Sequence, residues 1–362
     1  MPPTPTAPEP KTTPTTQDAV LSVRDLKMYF ELDEGVVRAV DGVSYDIRPG
    51  EIVGIVGESG CGKSMTMRSI LRTIEKPGRI VAGEIRFRPK RTRGMPVDSD
   101  GSLDLVSLDP RSRTMRTIRG GEIALIPQEP MSAFSPLHTI GNQIVEAIRL
   151  HRKASVREAR GIAIESLREV GIPNPESRID AYSWQLSGGL RQRAIIAMAL
   201  ACNPTVLIAD EPTTAVDVTT QAQILELIQR LRHDHDAAIL FITHDLGVIA
   251  QLTEHVVVMY LGKVMETGPV DAIFHAAQHP YTRALLRSVP SVDSVPRVAL
   301  PTIEGSIPHP FNRPTGCPFH PRCPDAMPGR CDVAMPALHE VEPGRPVACF
   351  LHHDLVEGGG TA

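Results

Sequence analysis

The sequence predicts an α/β fold, with a mostly parallel sheet covered by helices, on three observations. Apolar runs of strand length (EIVGIV, TVLIAD, AAILFIT) alternate with segments whose apolar residues recur three and four apart. A glycine-rich stretch, GESGCGKS, separates one such strand from the helix-patterned MTMRSILRTI. No window nears the roughly eighteen consecutive apolar residues of a membrane span. The chain has 362 residues and a formal net charge of −4, so it is long for one core, and broad electrostatic binding to nucleic acid is not expected.

Taken in order, residues 1–18 (MPPTPTAPEPKTTPTTQD) are Pro/Thr-rich, cannot bury enough surface to fold, and predict a disordered tail. They also lack the basic and apolar regions of an export signal. From Leu21 the chain reads as strands, LSVRDLKMYF and then GVSYDIRPGEIVGIVG, with Gly50 breaking the second run at a turn. Residues 84–109 mix short strands with a basic excursion, RFRPKRTRGMPVDSDGS, expected as an exposed loop. Residues 138–182 carry helical patterns in IGNQIVEAIRL and REARGIAIESLREVGI. The helix RQRAIIAMALAC, the strand TVLIAD, the helix TQAQILELIQRLRHDH and the strand AAILFIT then restore the alternation. Beyond Gly268 prolines and histidines become frequent, which suggests a boundary.

Gly57–Ser64 fits G-x-x-x-x-G-K-[ST], with a strand before and a helix after. Glycines let the backbone amides wrap a phosphate chain, and a helix N-terminus favours the anion. Lys63 then reaches the β- and γ-phosphates, and Ser64 can ligate Mg²⁺. Asp210 and Glu211 end the apolar run TVLIA, at the carboxyl end of a strand where open α/β sheets gather ligands. Asp210 suits the metal, and Glu211 suits orienting or deprotonating an attacking water. Ser187 and two glycines in LSGGLRQR open another helix and offer a second anion site.

Together these motifs resemble the nucleotide-binding subunit of ATP-binding cassette (ABC) transporters over about residues 20–270. The resemblance implies a P-loop ATPase with a RecA-like core, an antiparallel β subdomain and a helical subdomain. The ATPase domain would span 19–268, with the helical part at about 129–190. It implies ATP contacts at Phe30, Gly57, Ser59, Gly60, Cys61, Gly62, Lys63, Ser64 and Met65, with Tyr29 a rival to Phe30 for stacking on adenine. Mg²⁺ would be held by Ser64, Gln128 and Asp210. Catalysis would fall to Glu211, Gln128 (the Q-loop) and His244 (the switch histidine in FITHD), and Asp217 would mark the D-loop. Ser187, Gly188 and Gly189 would touch ATP held by a second ATPase subunit. The other implied partners are two transmembrane permease subunits and an extracytoplasmic substrate-binding protein. No nucleic acid partner is implied, and the location would be peripheral, on the cytoplasmic face of the inner membrane. The sequence departs from the usual pattern at Leu190, where a glutamine is common, and at Pro127, before Gln128.

Four of the six cysteines, Cys317, Cys323, Cys331 and Cys349, crowd the C-terminal part. Their spacing, C-x5-C-x7-C-x17-C, leaves an iron–sulfur cluster, zinc (with His320 and His352 as spare ligands) or nothing bound all open. Cys61 and Cys202 read as packing residues. HPYTRALLRSVP followed by GCPFHPRCP resembles the C-terminal extension of ATPases serving dipeptide, oligopeptide and nickel importers. That resemblance implies an extension over 269–362 carrying a [4Fe-4S] cluster, with zinc the alternative. It implies peptide import, with nickel or another small solute as the alternative cargo.

Overall fold

The computed structural model describes residues 19–92, 94–129, 133–214, 216–289 and 302–355. The tail expected at 1–18 lies outside them. The strands are β1 (Leu21–Leu32), β2 (Gly35–Ile47), β3 (Ile52–Val56), β4 (Gly78–Phe87), β5 (Leu103–Asp104), β6 (Ile123–Ile126), β7 (Val206–Asp210), β8 (Ala238–Ile242), β9 (His255–Tyr260), β10 (Lys263–Pro269), β11 (His339–Glu342) and β12 (Arg345–Val347). The helices are α1 (Lys63–Ile70), α2 (Arg113–Ile118), α3 (Ile140–His151), α4 (Val156–Glu169), α5 (Pro175–Arg178), α6 (Gly188–Leu200), α7 (Val218–His235), α8 (Leu246–Leu252), α9 (Val270–Ala276) and α10 (Pro280–Arg287).

Two sheets organise the chain. An antiparallel sheet runs β2-β1-β4-β5, and a larger one runs β11-β12-β10-β9-β3-β8-β7-β6. In the larger sheet β6, β7, β8, β3 and β9 are parallel neighbours, while β10 and β12 add antiparallel strands. Every residue of β3, β7 and β8 is buried, which explains why these strands read as unbroken apolar runs. The order places the C-terminal ends of β3, β7 and β8 side by side, so the loops that leave them share one edge.

The helical region is built on α3 and α4. Ile140, Ile144 and Ile148 of α3 bury against Ala159, Ala163 and Leu167 of α4, all in one core with the sheet. A capping box starts α4: Ser155 accepts from the Glu158 amide, and Glu158 accepts from the Ser155 amide.

Two features differ from the reading of the sequence. The basic excursion after β4 is exposed at its tip but anchored at its base. There the Lys90 ammonium donates to the carbonyls of His235 and Asp236 at the end of α7. Arg91 meets the Glu122 carboxylate, which is 1% exposed and also accepts from the Lys90 amide and the Thr205 hydroxyl. The compositional change at Gly268 also falls inside a strand. β10 runs through it, and the chain returns some eighty residues later to pair Val347 with Glu266. The cysteine-bearing segment is thus stitched onto the edge of the main sheet.

Candidate nucleotide site and cysteine pocket

The loop between β3 and α1 wraps a cavity of about 600 Å³ lined by Ala39, Ser59–Met65, Gln128, Glu211, Thr214 and His244. The wrapping depends on glycine at Gly62, where φ is +103° and an added Cβ would sit 2.3 Å from the Ala39 carbonyl. The buried Lys63 ammonium donates to the carbonyls of Gly57 (2.7 Å) and Glu58 (3.2 Å), which holds it over the loop.

Opposite stands the end of β7. Glu211 has φ +46°, and its amide donates to the Ile242 carbonyl at 2.8 Å. This left-handed step separates the two acids. Asp210 turns inward, 6% exposed, and lies beside Ser64, whose hydroxyl favours its charged form. Glu211 faces the cavity, where its carboxylate accepts from Gln128 Nε2 at 3.1 Å and from the Thr214 hydroxyl at 3.0 Å, and pairs with His244 Nδ1 at 3.1 Å. Three of the predicted catalytic residues, from three different loops, therefore meet at one carboxylate. Burial, then the neighbouring Glu211 charge, pushes the Asp210 carboxyl above the usual carboxylate range, and its Oδ1 is buried without a partner. An orphaned carboxylate oxygen beside a serine hydroxyl fits a hard divalent cation, so Asp210 and Ser64 suit Mg²⁺.

The remaining predicted residues lie elsewhere. Ser187 caps α6, accepting from the Leu190 amide, and Asp217 caps α7, accepting from the Thr220 amide and hydroxyl. Neither residue lines the cavity, nor do Gly188 and Gly189. Phe30 is half-buried on β1 and packs with the antiparallel sheet, not in the cavity wall. Tyr29 donates its hydroxyl to Asp41 at 2.8 Å, and burial followed by that partner pushes its pKa up to about 12, so it is committed there. Thr214 was not anticipated as a partner of Glu211, because a lone threonine after a strand carries no periodic signal.

Residues 40–214 match the ABC transporter family model, and residues 265–331 match the oligopeptide/dipeptide transporter C-terminal region. The chain is 46% identical over 340 residues to "Probable peptide ABC transporter ATP-binding protein y4tR" of Sinorhizobium fredii, covering 94% of this chain and 97% of that one. The chain belongs to the ATP-binding subunits of the dipeptide/oligopeptide ABC transporter family. It is 44% identical over 341 residues to "Dipeptide transport ATP-binding protein DppD" of Escherichia coli, covering 94% of this chain and 98% of the relative. Among solved structures it is similar to the ATP-binding cassette MJ0796, a dimer in a post-hydrolysis state bound to ADP and Pi. The TM-score is 0.58 at 25% identity, over 69% of this chain and 98% of that one.

The family's C-terminal region here folds around its cysteines. Cys317, Cys323, Cys331 and Cys349 are all free and line one largely apolar pocket with Phe319, Met327 and Phe350; His279, His320 and Asp325 also line it, whereas His352 does not. The Cys317 amide donates to the Cys331 carbonyl, and Cys331 Sγ accepts from the Met327 amide. The void between them is about 20 Å³. Among the described residues, no three His, Cys, Asp or Glu side chains gather as a single metal ion requires. Burial pushes the Cys317 thiol up to about 12 and the Cys323 thiol up to about 11. Cys61 and Cys202 are buried in the cores, as packing residues should be.

Proposed function

We propose that this chain is the ATP-hydrolysing subunit that powers peptide import through a membrane permease. The observation that carries the reading is the Glu211 carboxylate, gripped by Gln128, Thr214 and His244 at the mouth of the cavity that presents Lys63. In that position Glu211 orients an attacking water and takes its proton, while Gln128 and His244 fix the carboxylate's direction. Lys63 exchanges its two carbonyl acceptors for β- and γ-phosphate oxygens. Ser64 and Asp210 would hold Mg²⁺, which neutralises charge developing on the phosphates. Phe30 is the proposed adenine contact.

Ser187, Gly188 and Gly189 do not line the chain's own cavity, which supports a head-to-tail pair in which they reach ATP on a second ATPase subunit. ATP binds that closed pair better than the open one, and hydrolysis releases it. Two permease subunits and an extracytoplasmic substrate-binding protein complete the assembly. No helix among the described residues is long and apolar enough to cross a membrane, which suits a subunit peripheral to the cytoplasmic face. The family's relatives are named for peptides, and this favours peptide over nickel as cargo. Glu211→Gln should lower kcat for ATP by at least about a hundredfold while ATP binding persists. Wild-type turnover in that variant would remove Glu211 from the chemistry.

Within the same reading, the four cysteines hold a [4Fe-4S] cluster. Its support is the convergence of four free thiols on one apolar pocket. A [4Fe-4S] cluster takes one cysteine on each of four irons, and four cysteines line this pocket. Iron and acid-labile sulfide, about four each per chain after anaerobic purification, should be lost together in Cys323→Ser. Zinc at one per chain would replace this assignment.

A further inference from the structure

The C-terminal region makes a second contact with the cassette, away from the sheet edge. Arg322 lies between Cys317 and Cys323, at the end of a 3₁₀ turn (His320–Arg322), and its side chain is 5% exposed. Its guanidinium reaches across to the phosphate loop: Nη1 donates to Glu58 Oε2 at 2.7 Å, and Nη2 donates to Glu58 Oε1 at 3.1 Å. The other donors go to the Glu304 carbonyl (3.0 Å), the Ile303 carbonyl (3.3 Å) and the Tyr260 hydroxyl (3.2 Å). The fork is thus fully used, and two of its bonds grip the second residue of GESGCGKS. The backbone is held as well, since the Glu58 amide donates to the Tyr281 hydroxyl at 3.0 Å. Tyr281 and Tyr260 pack against Phe319, which is fully buried and lines the cysteine pocket.

A carboxylate in a phosphate-binding loop is an electrostatic liability, because it repels the polyphosphate that Lys63 attracts. Here Glu58 is turned out of the cavity wall and neutralised. We propose that Arg322 is a positioning residue for the phosphate loop. It masks the Glu58 charge and fixes the loop that presents Lys63, so that nucleotide affinity depends on how the cysteine-bearing segment is seated. Because such coupling is reciprocal, ATP in turn secures that segment. The inference rests on the ATPase reading above and deepens it.

The test measures MgATP binding calorimetrically on full-length chain in the Glu211→Gln background, where ATP is not turned over. Adding Arg322→Met should weaken binding about tenfold, equivalent to about 1.4 kcal/mol. Adding Glu58→Gln to that variant should restore most of the loss, because the exposed charge is gone. MgATP should also slow amide hydrogen exchange over residues 317–331 severalfold in the parent, and Arg322→Met should abolish that protection. Unchanged affinity in Arg322→Met overturns the proposal. So does an equal defect with and without Glu58→Gln, which would make Arg322 a structural support only. If the Glu211→Gln parent itself binds no MgATP, the ATPase reading fails first and the proposal falls with it.

Discussion

At the residue scale, chemistry here is decided by which partners a side chain is denied. Asp210 keeps one buried oxygen without a hydrogen bond, which suits the metal-ligand role proposed for it. Burial holds three cysteines of the C-terminal pocket as thiols: it raises Cys349, and pushes Cys317 to about 12 and Cys323 to about 11. Ligation of the proposed cluster would require thiolates, so its binding would release those protons. Reconstitution of the metal-free chain with iron and sulfide should therefore become more favourable as pH rises from 7 to 9. Cluster absorbance at equilibrium, titrated at each pH, checks this; a flat profile would mean that the ligating sulfurs are already ionised.

Among the elements, the excursion after β4 shows how a segment without periodicity gains a fixed place. Its basic residues suggested solvent, and most of its tip is exposed. At its base, however, Arg91 and Lys90 converge on Glu122 and on the carbonyl end of α7, tying the antiparallel sheet to the parallel one. Glu122 is buried and accepts from several donors, so Arg91→Ala leaves an undercompensated carboxylate. The expected loss is about 1–3 kcal/mol, towards the lower end because the arginine is half exposed. It should appear as a lower urea midpoint at constant m-value. The strands β3, β7 and β8 were legible in the sequence, since they are buried on both faces and read as apolar runs. The excursion was not, since partner choice leaves no period.

For the whole molecule, the C-terminal region and the cassette share one hydrophobic core. β12 pairs with β10 at the edge of the main sheet, and Phe319 joins the same core as Tyr260 and Tyr281. Phe319→Ala should cost about 3–5 kcal/mol and lower the melting temperature of the entire chain in a single transition. Two separate calorimetric transitions would show instead that the cysteine-bearing part melts independently.

What the sequence determined by itself was everything carried by neighbours along the chain. The strand–loop–helix of Gly57–Ser64, the acids at the end of TVLIAD and the helix start at Ser187 are local patterns, and local physics makes them legible. The tertiary structure alone decided that Gln128, Thr214 and His244 grip Glu211, that Tyr29 is committed to Asp41, and that four cysteines share a pocket. It alone joined Arg322 to Glu58 across 264 residues. Such pairings are chosen by which surfaces meet once the sheet is assembled, and no spacing along the chain encodes that meeting.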